Sequence, residues 1–267
     1  MRVGLQLPSF MFPGGPAAIR PTLTAIAQSA EANGFASLWV MDHLLQLPED
    51  TGLGGPEQPM LEAYTTLGFL AAATDRIALG PMVGNAVLRT PGLLVKAATT
   101  LDVLAGDRPT YFAVGAGWYG REATGLGLPF PPRAERFERL EETLRIARAM
   151  FADDRTPIEG RHHRLAEPIN LPAPLSRPRI MVGGGGERKT LRLVAEYADA
   201  RATSSSPIPA RAATSSRCWR DIARRSDGTR PRSRRPPCSK RICGRGTRRR
   251  PTWSLRSAPR PTRASST

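Results

Sequence analysis

The stretch RPRIMVGGGGERKTLRLVAEYADA, residues 177–200, carries the clearest structural pattern in the chain. An apolar strand over 179–182 runs into four consecutive glycines. A segment with apolar residues at three- and four-residue spacing follows over about 187–198. This order predicts a strand, a tight turn and an amphipathic helix, which together make one βα unit of a parallel sheet.

The same alternation precedes this unit four times. Apolar strands are predicted at 2–7, 37–41, 77–83 and 111–114. Amphipathic helices are predicted at about 17–33, 61–74, 92–104 and, after Pro131 and Pro132, up to Phe151. Five βα units within the first 200 residues favour a (β/α)8 barrel of about 300 residues over an open doubly wound sheet. Functional residues should then collect at the carboxyl ends of the strands.

The formal charge of +16 is concentrated at one end of the chain. Residues 1–200 carry 20 Lys and Arg against 21 Asp and Glu, whereas residues 201–267 carry 19 against 2. All three cysteines also follow residue 200, so the patterned part has none for a disulfide or a thiolate metal site. The start lacks a signal-peptide pattern, and no apolar run is long enough to cross a bilayer. We therefore expect a cytoplasmic protein without a membrane partner.

Two polar residues, Asp42 and His43, close the second predicted strand. A histidine at the barrel mouth can exchange a proton or a hydrogen bond with a ring nitrogen or a substrate oxygen near neutral pH. A histidine held by a loop carbonyl gives the same pattern. Position alone leaves both interpretations open.

Glycine-rich turns follow two of the strands. The four glycines Gly183–Gly186 precede a helix, and such a turn exposes backbone N–H groups to a phosphate. Four in a row favour anion binding over a merely tight turn. The motif GAGWYG, residues 115–120, has the spacing G-x-G-x-x-G, but neither the helix nor the acidic strand end of a dinucleotide site follows it. Its glycines can still admit a cofactor, and Trp118 and Tyr119 either wall a pocket or cap the rim.

Four other residues suit the surface better than a site. The pair His162 and His163 lies in a polar connection without a nearby third ligand, which favours a solvated loop over a metal site. We predict no metal. Arg89 and Lys96 are interpreted as surface charges.

The order of motifs resembles the luciferase-like monooxygenase superfamily, and in particular its coenzyme F420-dependent oxidoreductases. The resemblance covers residues 1–200. The matching segments are EANGFASLWVMDH (31–43), TDRIALGPMV (74–83), LVKAATTLDVLAGDR (94–108), VGAGW (114–118), RFERLEETLRIARAMF (136–151), EGRHHRL (159–165) and RPRIMVGGGGERKTLRLVAEYADA (177–200).

The resemblance implies a bacterial-luciferase-type (β/α)8 barrel with the ring of F420, or alternatively FMN, at its mouth. Asp42 and His43 match the catalytic pair near the ring, and Gly183, Gly184, Gly185 and Gly186 match the phosphate loop. Two further groups would contact the cofactor. They are Gly84, Asn85 and Ala86, where relatives often carry a non-prolyl cis peptide, and Gly115, Gly117 and Trp118.

The implied activity is hydride transfer to or from a small organic substrate, with an FMN-dependent monooxygenase as the alternative. Relatives that oxidise glucose 6-phosphate carry a Glu where this chain has Trp118, which argues against a sugar phosphate. Members of the family are often homo-oligomers. No nucleic-acid partner is expected.

The tail, residues 201–267, has another composition, with 18 Arg, 19 Ser or Thr and 8 Pro. A disordered basic tail that binds nucleic acid is one interpretation. The change begins one residue into the family's sixth strand, which favours a shifted reading frame. If the codons of the tail are shifted by one base from the intended frame, residues 202–211 are compatible with an intended sequence CNLFVADPGT. Residues 218–239 are likewise compatible with LARHCAEVGRDPAEIEKTALQQ. Because five strands cannot close an eight-stranded barrel, we expect the chain as written to be impaired.

The gene sequence tests the shifted frame. Compared with the genes of relatives, it should contain a one-base insertion or deletion near codon 201, because the family-like pattern stops there. A gene without such a change would rule the shifted frame out.

Overall fold

The computed structural model describes residues 2–186 and 188–202. Two domains were predicted, a barrel domain at 1–200 and a disordered tail at 201–267. The tail from residue 203 onward lies outside the described residues.

The strands and helices alternate as the sequence predicts. The strands are β1 (Gly4–Leu7), β2 (Ser37–Val40), β3 (Ala78–Pro81), β4 (Gly84–Asn85), β5 (Tyr111–Gly115), β6 (Ile158–Glu159), β7 (Arg164–Leu165), β8 (Arg179–Gly183) and β9 (Ala200–Ala202). The α-helices are α1 (Pro16–Ala32), α2 (Ala63–Ala73), α3 (Pro91–Ala105), α4 (Gly120–Gly125), α5 (Arg133–Phe151) and α6 (Lys189–Tyr197).

Parallel strands form the centre of the fold. They pair in the order β1-β2-β3 and β4-β5-β8-β9, and a bridge between Leu79 and Thr110 joins β3 to the residue before β5. β6 and β7 form a separate antiparallel hairpin. The pairing confirms the predicted α/β class and all five βα units. It adds a sixth strand, β9, which includes Arg201.

Apolar side chains bury the helices against the sheet. The apolar face of the predicted amphipathic helix α5 is buried. Its residues Leu140, Leu144, Ala147 and Phe151 pack in one core cluster with β5 and β8. A second cluster lies under α1 and α2. In the described ranges, no helix is both long and apolar enough to span a membrane.

The predicted third strand, 77–83, is wrong at its end. β3 stops at Pro81, and the chain resumes as β4 at Gly84, now paired with β5. A cis peptide bond joins Met82 to Val83 between them. Apolar character continues through the break, so the sequence pattern cannot reveal it.

A carboxylate on α1 fixes the start of the third βα unit. Glu31 accepts backbone N–H groups from Asp75 (3.0 Å), Arg76 (2.5 Å) and Ile77 (2.8 Å). Partial burial raises the pKa of Glu31, but the three backbone donors outweigh it and hold that pKa below its ordinary value of 4.5. Ionised Glu31 therefore stabilises the fold above pH 4.5.

Replacing Glu31 with Gln should lower the free energy of unfolding by about 1 kcal/mol at pH 7, because charge-assisted hydrogen bonds are lost and solvent screens part of the effect. The difference between the two proteins should shrink as the pH falls through the lowered pKa of Glu31, where the carboxylate of the parent protonates. Urea unfolding followed by circular dichroism between pH 3 and 7 measures both. The exposed Glu57→Gln serves as control, and a Glu31→Gln effect independent of pH would contradict the assignment.

Candidate active site

A cavity of about 920 Å³ opens at the carboxyl ends of the parallel strands. Every predicted site residue except Ala86 lines it. Those that do are Asp42, His43, Gly84, Asn85, Gly115, Gly117, Trp118, Gly183, Gly184, Gly185 and Gly186. Ala86 is buried in the core beside the cavity, and its N–H donates to the Gly115 carbonyl at 3.0 Å.

Glycines, which have no side chain, shape the floor of the cavity. A methyl carbon built on Gly183 would lie 2.4 Å from Val83 Cγ2, and one on Gly115 would lie 3.2 Å from it. Glycine at both positions lets the Met82–Val83 segment pack against β5 and β8. The cis peptide lies in this segment, just before the residues Gly84, Asn85 and Ala86 for which it was predicted.

The glycine turn after β8 leads into α6 at one end of the cavity. A methyl carbon built on Gly186 would lie 2.9 Å from Thr190 Oγ1, so that hydroxyl sits beside the turn. Arg133 and Arg136 line the same cavity. Backbone N–H groups at a helix start, a hydroxyl and two guanidinium groups are the groups that bind phosphate in proteins.

One of these arginines has an unused donor. Arg136 stacks over Phe130, with its Cζ 4.2 Å from the ring centroid, and donates from Nη1 to the Pro131 carbonyl at 2.9 Å. Its Nε is buried and has no hydrogen-bond partner among the described residues. Burial, and then the neighbouring Arg133, lower the pKa of Arg136. An anion would satisfy the free donor and offset the repulsion between the two cations.

A buried carboxylate holds His43. Glu122, on α4, is fully buried and lies with Oε1 3.0 Å from His43 Nδ1, while its Oε2 accepts the Leu44 N–H at 2.7 Å. An ionised carboxylate only accepts hydrogen bonds, so Nδ1 carries the proton and the Nε2 of a neutral ring is left as an acceptor. Trp118 and Tyr119 contact the ring edge-on at 5.8 and 6.1 Å between centroids. The partner of His43 Nδ1 is thus a carboxylate and not a loop carbonyl.

Asp42 is buried beside His43 and is paired. Its oxygens accept from Arg89 Nη1 at 2.7 Å and Nη2 at 2.8 Å, and Oδ2 also accepts the Asn85 N–H at 3.0 Å. Arg89 pairs with Glu62 as well. Burial lowers the pKa of Arg89, but the two carboxylates outweigh it and raise that pKa above its ordinary value. The interpretation of Arg89 as a surface charge is therefore wrong.

Among the residues that sequence reasoning missed are Glu122, Arg133, Arg136 and Thr190. Glu122 could have been found, because it follows the glycine motif of a strand end by two residues and is the one acidic residue of that loop. Thr190 stands one helical turn after the four glycines. The two arginines open a helix whose surface carries many charges, so nothing in the sequence distinguishes them.

The remaining candidates lie elsewhere. His162 sits on the β6–β7 hairpin, 2.7 Å from Glu138, and is not among the residues that line the cavity. Lys96 donates to the Leu171 carbonyl on the surface. Within the described residues, no group of three His, Cys, Asp or Glu side chains is placed to hold a metal ion.

A profile of the luciferase-like monooxygenase family matches residues 1–240. The chain belongs to this family. The match contains every residue of the cavity described above.

Several luciferase-like relatives are similar to the patterned part. An F420-dependent glucose-6-phosphate dehydrogenase of Nakamurella multipartita is 31% identical over 188 residues, covering 70% of this chain and 53% of the relative. An FMNH(2)-dependent dimethylsulfone monooxygenase of Pseudomonas putida is 29% identical over 170 residues, covering 62% and 44%. The chain therefore spans about half the length of the curated relatives it matches.

Solved luciferase-like structures confirm the barrel fold. An F420-dependent secondary alcohol dehydrogenase in complex with an F420–acetone adduct superposes with a TM-score of 0.64 at 20% identity, over 85% of this chain and 64% of that one. Monooxygenase RslO1 from Streptomyces bottropensis gives 0.67 at 21%, over 86% and 68%. At this identity the likeness concerns the fold alone.

Two glycines with nearly the same φ angle allow the cost of a steric contact to be distinguished from the cost of backbone strain. Gly117 (φ +71°) and Gly127 (φ +72°) both lie in the left-handed region, but a methyl carbon on Gly117 would meet Asn85 Oδ1 at 2.5 Å, and one on Gly127 meets nothing within 4 Å. Gly127→Ala should therefore cost about 1 kcal/mol of unfolding free energy and Gly117→Ala about 3 kcal/mol. Urea unfolding gives both values. Equal losses would show that Asn85 does not pack against Gly117 in solution.

Proposed function

We propose that this protein is an F420-dependent oxidoreductase that transfers a hydride between the deazaflavin and a small organic substrate. One arrangement carries the proposal: a single cavity is lined by glycines, by a histidine that a buried carboxylate holds, and by a glycine turn suited to an anion. The F420-dependent relatives support the choice of cofactor.

The residues present fit such a cofactor. A flat ring system needs a floor from which few side chains project, and Gly84, Gly115 and Gly183 line the cavity without contributing any. A phosphate needs donors, and the turn at Gly185–Gly186, Thr190 and the Arg136 Nε, which has no partner among the described residues, provide them. These residues would hold the ring and the phosphate of F420.

Bound deazaflavin supplies a ring carbon that accepts or donates a hydride, and the protein supplies orientation and proton handling. Glu122 fixes the His43 ring through Nδ1, so Nε2 is the nitrogen that can exchange a proton with a substrate oxygen. His43 is thus proposed as the residue that orients the substrate and relays its proton.

The side chain of Trp118 limits the class of substrate that suits the cavity. Its side chain is 59% exposed at the cavity edge and contacts His43, so a substrate reaching Nε2 passes an indole. An indole does not pair with a phosphate or with sugar hydroxyls as a charged group does. We therefore propose a small organic alcohol or carbonyl compound and not a sugar phosphate.

A second candidate function is that of an FMN-dependent monooxygenase. The dimethylsulfone monooxygenase relative favours it, and the same floor and turn suit the ring and phosphate of FMN. The predicted oligomerisation, cytoplasmic location and lack of a nucleic-acid partner stay predictions.

We also propose that the tail impairs the protein as written. β1 and β9 are the outer strands of the described sheet, and an eight-stranded barrel needs two more strands between them. Ala202, the last described residue, lines the cavity. An arginine-rich sequence at these positions supplies no apolar strand.

Fluorescence titration with F420, FMN and FMNH2 tests the function. The 267-residue chain should be compared with one in which the frame after codon 200 is restored. The restored chain should bind F420 at least about tenfold more tightly than the chain as written and more tightly than either flavin, because its barrel closes over the ring.

Each other result has a definite meaning. Preference of the restored chain for FMNH2 would support the monooxygenase instead. Failure of the restored chain to bind any of the three would reject both functions. Equal F420 affinity of the two chains would reject the proposed impairment.

A further inference from the structure

One side-chain hydrogen bond ties the wall of the cavity across the break in the sheet. Asn85 donates its backbone N–H to Asp42 Oδ2 at 3.0 Å, which joins the end of β2 to β4. Between β3 and β4 the chain passes through Met82 and Val83, which are not part of a strand. The position of this cavity-lining segment is therefore set at Asn85 by the Asp42 side chain as well as by the pairing of β4 with β5.

Arg89 fixes the acceptor of that bond. Its two terminal nitrogens each donate to one oxygen of Asp42, at 2.7 and 2.8 Å, and its side chain is only 13% exposed. A two-pronged guanidinium contact fixes the plane of a carboxylate as well as its position. The direction of Oδ2 toward Asn85 is thus determined by Arg89.

A helix start holds Arg89 in turn. Glu62 pairs with Arg89 and accepts the N–H groups of Tyr64 (3.2 Å) and Thr65 (2.7 Å), which open α2. Burial raises the pKa of Glu62, but these backbone donors and Arg89 outweigh it, so its pKa lies below the ordinary value. Glu62 is therefore anionic near neutral pH, and the contacts run without a gap from α2 through Arg89 to the cavity wall.

Packing limits Asn85 from the other side. Its Oδ1 accepts the Val87 N–H at 3.1 Å, and Gly117 lies so close that a methyl carbon there would be 2.5 Å from Oδ1. The Asn85 side chain thus occupies the space that a side chain at position 117 would need, and its backbone N–H is held by Asp42.

We propose that Arg89 is a positioning residue that, through Asp42, sets the backbone at Val83–Asn85 against which the cofactor ring lies. Arg89 is not among the residues that line the cavity, so it acts through Asp42 and not by contact. The same contacts make Asp42 a positioning residue, because hydrogen bonds already occupy both of its oxygens. The identity of the ring rests on the proposed function, whereas the positioning of the segment does not.

Hydrogen exchange measured by mass spectrometry tests the positioning in the 267-residue chain. Arg89→Lys keeps the charge but loses the two-pronged contact. Amides in residues 82–88 should exchange at least about tenfold faster in this variant, because local opening costs less free energy, while residues 111–115 of β5 stay unchanged. Arg192→Lys is the matched control, since Arg192 makes a two-pronged pair with Glu141 on the surface, and it should change neither segment.

Unchanged exchange at 82–88 in Arg89→Lys would overturn the proposal. Equal acceleration at 82–88 and 111–115 would also overturn it, because it would mean general destabilisation. Arg89→Gln, which leaves Asp42 without its cation, should accelerate 82–88 more than Arg89→Lys does. If Arg89→Gln unfolds, the lysine variant still decides.

Cofactor affinity gives a second measurement. In the frame-restored chain, Arg89→Lys should weaken F420 binding by at least about tenfold relative to the same chain without the substitution, with Arg192→Lys unchanged, because a mobile wall must be ordered on binding. Equal affinity would contradict the proposal. If exchange at 82–88 rises as expected while the frame-restored chain binds neither F420 nor a flavin, then the positioning stands and the proposed function fails.

Discussion

Asp42 carries a carboxylate that is almost completely buried beside the cavity, with 1% of its surface exposed. A buried charge is tolerated only when it is paired and its lone pairs accept hydrogen bonds, and Arg89 and the Asn85 N–H meet both needs. Both partners lie far from Asp42 in the chain, 43 and 47 residues after it. Satisfying one carboxylate therefore fixes the end of β2 and the start of β4, and with Glu62 the start of α2.

The cavity follows from this arrangement and from the absence of side chains. The segment between β3 and β4 bends into the space that Gly115 and Gly183 leave empty, and Val83 fills it. Polar groups stand around this floor, with His43 on its carboxylate and Thr190 and Arg136 near the glycine turn.

A division of work between neighbouring residues emerges from the contacts. Asp42 and His43 are adjacent in sequence and both face the strand ends, yet each has its own partner on a different element. Arg89 donates a hydrogen bond to each oxygen of Asp42. Glu122 contacts only Nδ1 of His43, so Nε2 remains available to a substrate. This difference explains why His43 is the better candidate for proton exchange.

The sequence by itself determined the barrel class, the five βα units and the strand ends at which the site lies, because apolar periodicity and glycine turns are local properties that each segment expresses alone. It also located Asp42, His43 and the glycines, since parallel strands bring their carboxyl ends to one edge. Only the tertiary structure decided the partners. Glu122 lies 79 residues from His43, and Arg89 lies 47 from Asp42. Pairing across such distances depends on how helices and loops pack, and the break after Pro81 depends on space left by glycines of other strands.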